Sequence, residues 1–237
     1  MRLLQCISLA CIAALAACAR EDGSDELMED ASRTFHSFNM RTLRRIEPSV
    51  MEYRAHHSQP AHDGFVNFFA NLREPLTTIN SVLGLDFTNA AKSVSRFVIN
   101  STAGALGAFD VAGDIGIKRD KRDFGEMLGS WGVPEGAFFS LPLAGPTNVR
   151  DFSGGVVDSV IDPTVWVFGW FASLAITAGD KAFSVYDGYD FIIGTDESAL
   201  DSYTAFKSMY QQNRRERIAR HLIFFDERPR LAYDFDM

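Results

Sequence analysis

Two residues carry the spacing that most resembles chemistry. His221 and Asp226 stand in an H-x4-D arrangement, in which a carboxylate can orient an imidazole to take a proton from a hydroxyl. With five histidines and many aspartates in the chain, one such spacing is expected by chance. Ser153 sits in "DFSGG", where Asp151 occupies the position a nucleophile elbow gives to glycine. The "GSWG" segment has the wrong spacing for the same motif. His56, His57, His62 and Asp63 lie close together in "RAHHSQPAHDG" (54–64) and could hold a metal weakly. Their spacing matches no two-ligand helix pattern, so a solvated loop is the better reading. There is no phosphate loop and no HExxH.

Cysteine offers no nucleophile either. All three cysteines fall at the N-terminus, as Cys6, Cys11 and Cys18. "MRLLQCISLACIAALAAC" has a basic Arg2, an apolar run too short to span a bilayer, and Leu15-Ala16-Ala17 before Cys18. It reads as a signal peptide over 1–17 ending in a bacterial lipobox, with Cys18 as the lipid anchor. Residue 19 is Ala and not Asp, which by resemblance to the enterobacterial sorting rule favours the outer membrane. The net charge of -8 argues against wholesale nucleic-acid binding and against charge-driven adhesion to anionic lipid. At 46% hydrophobic and 23% charged, the chain can bury a substantial core.

The elements that must position any site are helical. Residues 18–30 are acidic and polar and read as a flexible tether, with one helical domain over 31–237. Phe35, Phe38, Leu43 and Ile46 mark a first amphipathic helix, stopped by Pro48. Phe65, Phe68, Phe69, Leu72, Leu76 and Ile79 mark a second, bent or divided at Pro75. Thr88 or Asn89 caps a third, with Ala91, Val94, Phe97 and Val98 on one face. A later helix over Val149–Ile161 ends before Pro163. The last is capped near Asp196 and Ser198, carries Leu200, Tyr203, Phe206, Tyr210 and Ile218 near one face, and ends in Arg214, Arg215, Arg217 and Arg220. That basic cluster is either a solvated helix end meeting the dipole or a docking site for phosphate or an acidic partner. No period-two run or hairpin signal appears, so the fold class is all α.

Between Asp162 and Asp180 lies an uncharged run, "PTVWVFGWFASLAITAG". Its length fits a buried core helix. It also fits a helix lying in one leaflet, with Trp166, Phe168, Trp170 and Phe171 facing the membrane.

The stretch "RDFGEMLGSWGVPEGAFFSLPLAGPTNVRD" (122–151) is apolar, dense in Gly and Pro, and lacks His, Cys and Lys. Together with "RFVINSTAGALGAFDVAGDIG" (96–116) it closely resembles the MlaA (VacJ) family of outer-membrane lipoproteins. The matching residues are Arg96, Phe97, Asn100, Ser101, Thr102, Gly104, Gly107, Phe109, Asp110 and Ala112, then Asp123 to Gly132. Leu141, Pro142, Gly145, Pro146, Arg150 and Asp151 complete them. "RTFHSFN" (33–39), "NFFANLREP" (67–75) and "DSYTAFKSMYQQNRRERI" (201–218) fit as well. The chain departs from the pattern at Gly136-Ala137-Phe138, where Gly-Pro-Tyr is usual. It also departs at Arg44, where an acidic residue often stands, and before Arg33, where Gly-Phe-Asn is missing.

The resemblance implies a ring of amphipathic helices set in one membrane leaflet around a polar channel. It implies removal of mislocalised phospholipid from the outer leaflet and its delivery to a periplasmic carrier linked to an inner-membrane ABC transporter, beside a porin trimer. No cofactor, metal or covalent step is implied. Asn100, Asp110, Asp123, Arg150 and Asp151 become candidates for channel or structural polar residues. Gly125, Gly129, Gly132 and Gly136 are expected at positive φ or at close backbone contacts. Two other readings stay open. One is a structural lipoprotein that scaffolds porin. The other is an acyl-transfer enzyme built on His221 and Asp226, whose spacing resembles glycerolipid acyltransferases although their other motifs are absent.

Overall fold

The structure, a computed structural model, describes residues 24–56 and 58–221. The signal peptide, Cys18, His57 and Asp226 lie outside the described residues. Helices α1 (Ser24–His56), α2 (Gln59–Leu83), α3 (Phe87–Thr102), α4 (Val111–Asp114) and α5 (Phe124–Ser130) precede a hairpin of β1 (Phe138–Leu141) and β2 (Gly145–Asn148). Helices α6 (Val149–Ile161), α7 (Pro163–Phe168), α8 (Trp170–Asp187), α9 (Tyr189–Ser198) and α10 (Ser202–Arg220) follow. The fold is all α apart from that hairpin. Helix α2 packs on α8, α8 on α7, α7 on α6, α6 on α5, and α5 returns to α2, which closes a ring. Helix α3 backs α2 from outside, and α1 runs along the hairpin to meet α9 and α10.

The polarity of this ring is turned outward. Its small apolar core is Phe124, Met127, Leu128 and Val157, between α5 and α6. Most other buried side chains are polar. On α3 the buried residues are Asn89, Ala90, Ser93, Arg96 and Asn100, while Val94 and Val98, expected on its packing face, are exposed. Large apolar side chains crowd the surface instead, among them Phe171 at 87%, Leu143 at 75% and Trp166 at 74% exposure. Contiguous exposed apolar surface of this kind marks a surface that meets something other than water. Among the described residues no helix is long and apolar enough to cross a membrane.

Six of the helix starts are capped by a carboxylate or an amide, those of α2, α8 and α9 having no side-chain cap, and most of the carboxylates are gripped by an arginine from elsewhere. Asp110 accepts from Gly113 N at 3.1 Å and pairs with Arg96 at 2.9 Å. Asp123 accepts from Glu126 N at 2.9 Å and pairs with Arg214 at 2.7 Å. Asp162 accepts from Thr164 N at 2.9 Å and pairs with Arg73 at 2.8 Å. Asp201 accepts from Thr204 N at 3.1 Å and pairs with Arg33 at 2.9 Å. Each cap satisfies an orphan amide and ties its helix to a partner.

Several sequence expectations change. The tether is helical from Ser24, because Arg33 reaches back one turn to Glu29 and Ser32 Oγ donates to Met28 O. Pro48 does not stop α1; the helix absorbs it and runs to His56. The His-rich loop shrinks to the junction between α1 and α2, and His62 is buried within α2, hydrogen-bonded to Asp187 at 2.8 Å. Pro75 lies inside α2 without dividing it. The cap of α3 is Asp86 rather than Thr88 or Asn89, and that of α10 is Asp201, while Asp196 and Ser198 end α9. Leu200 precedes α10 and is fully exposed. The uncharged run is no buried core helix: Gly169, at φ 84°, turns the chain between α7 and α8, a conformation L-residues disfavour. The hairpin was not expected. Its antiparallel register pairs Phe138 with Asn148 and Leu141 with Gly145. Contacts from α1 hold it: Asn39 Nδ2 donates to Leu141 O at 2.8 Å and Asn39 Oδ1 accepts from Leu143 N at 2.7 Å.

Candidate functional site: a cavity inside the helix ring

A cavity of about 520 Å³ lies within the ring, in the size range of sites that take a small amphiphile. Its lining mixes two chemistries. Phe152 and Val156 of α6, Val165 of α7, Trp170 and Leu174 of α8 and Pro146 of the hairpin are apolar. Arg73, Lys121, Lys181 and Arg214 are balanced by Asp123, Asp151, Asp158 and Asp162.

Arg214 is the hub of the charged side. Its guanidinium reaches Asp123 at 2.7 Å, Glu126 at 2.9 Å and Asp151 at 2.9 Å. Tyr210 donates its hydroxyl to Asp151 at 2.6 Å, and Arg217 pairs with Glu126 at 2.7 Å. Burial opposes ionisation of Asp123, but the hydrogen bonds and charge of Arg214 outweigh it and hold the carboxyl well below its usual range. Glu126 shares that arginine less favourably; burial and the neighbouring Asp123 push its carboxyl up. Asp158 accepts from Asn80 Nδ2 at 2.7 Å and from Phe124 N at 3.1 Å. Burial, then the charge of Asp123, push it up to about 7.

The five polar candidates divide accordingly. Asp123 and Asp151 line the cavity. Arg150 is buried behind it, donating to Asp151 at 3.0 Å and to Val133 O at 3.3 Å. Asn100 and Asp110 stand apart from the cavity. Asn100 donates to Asp110 at 2.9 Å and accepts from Ala112 N at 2.9 Å, which fixes the turn between α3 and α4. Trp166, Phe168, Trp170 and Phe171 are all exposed, clustered where α7 meets α8. Gly132 and Gly136 have positive φ, and Gly125 and Gly129 are close contacts. The basic cluster of α10 is not a solvated end as a whole, since Arg214 and Arg217 turn inward. Arg73, Lys121, Asp158, Asp162 and Lys181 were not singled out. The signal was available: Asp162 and Asp180 bracket the uncharged run with Lys181 next in sequence, and Arg73 sits inside the quoted "NFFANLREP".

His221 does not face the cavity. It is buried against Asp86 at 2.7 Å, with Asp120 at 3.6 Å, beside the fully enclosed Arg122. A Ser–His pair does occur elsewhere, His36 with Ser202 at 2.8 Å, but Ser202 donates its proton to Asp196. A nucleophilic serine must hand that proton to the imidazole. Among the described residues no three His, Cys, Asp or Glu converge as metal ligands.

A ring of helices with large apolar side chains on its surface and a cavity lined by both apolar and charged side chains defines the class of fold. The chain belongs to the MlaA lipoprotein family, which matches residues 24–217. It is 34% identical over 149 residues to an uncharacterized protein of Rickettsia bellii, a match covering 62% of this chain and 58% of that one. It is 31% identical over 152 residues to the intermembrane phospholipid transport system lipoprotein MlaA of Escherichia coli, covering 62% and 61%. With the protein of the same name from Haemophilus influenzae it shares 29% over 214 residues, 84% of each chain. The chain thus spans less than two thirds of the length of the Rickettsia and Escherichia relatives. A solved structure described under "Structural basis for maintenance of bacterial outer membrane lipid asymmetry" superposes with a TM-score of 0.68 at 25% identity, covering 84% of this chain and all of that one.

Proposed function

We propose that this protein is an outer-membrane lipoprotein that takes mislocalised phospholipid from the outer leaflet and passes it through its ring to a periplasmic carrier. The observation that carries this reading is the cavity itself, lined by both apolar and charged side chains, among helices that expose large apolar residues. A phospholipid joins the same two chemistries. The exposed Trp166, Phe168, Trp170 and Phe171 then lie among acyl chains and headgroups on one side of the bilayer. Cys18 provides the anchor on the periplasmic side. The capped helix ends suit such a setting, because backbone groups in lipid must find partners within the protein. The names of the Escherichia and Haemophilus relatives support the same cargo. The partners would be a porin trimer and a periplasmic lipid carrier serving an inner-membrane ABC transporter. Transport of this kind needs no nucleophile and no cofactor.

Deleting the protein should let phospholipid accumulate in the outer leaflet, read as lipid accessible to an external acylating enzyme, and the intact chain should reverse it. Porin that co-purifies with a chain carrying no lipid would favour a scaffold. Covalent change of phospholipid by the purified chain would favour an enzyme.

A further inference from the structure

The cavity's four cations are not equivalent. Arg73 is held by Asp162 at 2.8 Å, Lys121 by Asp180 at 2.7 Å and Arg214 by Asp123 at 2.7 Å. Lys181 lines the same cavity and, among the described residues, has no carboxylate within ion-pair distance. Its side chain is exposed to solvent. Partial burial, then Lys121 and Arg73, depress its ammonium below an ordinary lysine, while Asp180 and Asp123 act the other way. Of these four cations it is the one whose charge is left available to a bound anion.

Lys181 also stands at one end of one wall. The face of α8 that lines the cavity runs Trp170, Ser173, Leu174, Thr177, Lys181, the i, i+3, i+4, i+7 spacing of a single helix face. From Trp170 to Lys181 apolar and hydroxyl side chains alternate and the face ends in an ammonium, over about 16 Å at 1.5 Å per residue. An apolar end and a cationic end on one helix face suit the acyl chains and the phosphodiester of one lipid.

We propose that Lys181 is the headgroup anchor of the cavity, binding the phosphodiester of a diacyl phospholipid whose chains point toward Trp170 and Leu174. The inference rests on the lipid-carrier reading and adds to it an orientation and a recognised group. It implies selectivity: a diacylglycerol, with the same chains and no phosphate, has nothing to offer the lysine.

The test is native mass spectrometry of the detergent-extracted full chain, incubated in parallel with dioleoylphosphatidylglycerol and with dioleoylglycerol. The wild type should retain the phospholipid in preference. Lys181→Glu and Lys181→Gln should lower phosphatidylglycerol occupancy about tenfold relative to dioleoylglycerol, the scale of one charge-assisted contact. Lys181→Arg should keep the preference, and thermal melts should match the wild type for all three. Unchanged selectivity in folded Lys181→Glu overturns the assignment, as does parallel loss of both lipids, which would mean a distorted cavity. Displacement of the phospholipid by an equal concentration of inorganic phosphate would mark a site for free anion and sink the lipid anchor. A wild type that binds both lipids equally leaves lipid carriage standing and the anchor refuted; one that binds neither removes both.

Discussion

Helix α3 and the α5–α6 pair solve the same problem with opposite faces. Between α5 and α6 the buried layer is Phe124, Met127, Leu128 and Val157, and its stability comes from removing apolar area from water. Helix α3 buries Ser93, Arg96 and Asn100 and leaves Val94 and Val98 outside. Hydrogen bonds and ion pairs fix it: Arg96 to Glu74 at 2.9 Å and to Asp110 at 2.9 Å, with Arg119 adding to Glu74 at 3.4 Å. One region would hold together in water for the usual reason. The other places its apolar stripe where only a nonaqueous neighbour can cover it. Amphipathicity tells which faces differ, and the environment decides which one turns inward.

The polar interior can be broken at its hub. Arg214→Ala leaves Asp123, Glu126 and Asp151 with their main cation gone, in a setting that excludes most water. Removing one partner of a buried ion network costs about 3–5 kcal/mol. Chemical denaturation in detergent should show a loss of that order, larger than for any single exposed apolar substitution. A loss below about 1 kcal/mol, the scale of a surface pair, would mean that water fills the site and the network adds little.

Asp158 gives that interior a pH dependence. Its folded carboxyl titrates near 7 while the free side chain has 3.8, so folding favours the protonated form. The stability it contributes is present below pH about 4 and is lost as pH rises toward 7. On the order of 2–4 kcal/mol is involved, allowing for relaxation around the site. Melting temperature in detergent should therefore fall between pH 5 and pH 8, and Asp158→Asn should flatten that slope. Asp123 works with the opposite sign, its contribution lost only in acid below the ordinary carboxylate range. A rising melting temperature across the interval would show that Asp158 is ionised in the fold.

The apolar pair depends on close approach. A Cβ on Gly154 would meet Gly125 N at 2.4 Å, backbone against backbone, whereas a Cβ on neighbouring Gly155 would meet nothing within 4 Å. Gly154→Ala should force α5 from α6 and cost about 1–3 kcal/mol. Gly155→Ala should be neutral or stabilise by up to about 1 kcal/mol through helix propensity. Equal effects would show that the α5–α6 contact yields.

Much of this was legible beforehand. Gly and Pro density over 122–151 anticipated short elements with sharp turns, and Val149–Ile161 was readable as a helix because its apolar spacing stops before Pro163. Lost were features set by distant residues. The hairpin has a single β-branched residue, Thr147, in its strands and depends on Asn39 of α1. The tether's helicity depends on Glu29 and Arg33 pairing across a turn. Asp123 and Asp151 were visible as cavity candidates; Lys181 beside the uncharged run and Arg73 inside "NFFANLREP" carry a signal too, but which wall a lone cation joins is set only when the ring closes. The direction of each amphipathic face was the deepest ambiguity, since periodicity is the same whichever side faces in.

That ambiguity frames the smallest expected effect. Val98 lies on α3's outer stripe at 52% exposure. If its surroundings were water, Val98→Ser would change nothing but a surface contact. If they are acyl chains, it removes apolar area from a favourable medium while leaving the folded chain's internal packing untouched. Stability in detergent should shift by no more than about 0.5 kcal/mol, as for other substitutions away from packed contacts. Partition of the protein into phosphatidylglycerol vesicles should weaken, by roughly twofold for one side chain, and further when Val94→Ser is added. Leu128→Ala sharpens the contrast, since its buried side chain should cost about 2–5 kcal/mol of stability and alter partition hardly at all. Should Val98→Ser destabilise as much as Leu128→Ala, the stripe is packed against protein and α3 is not turned outward.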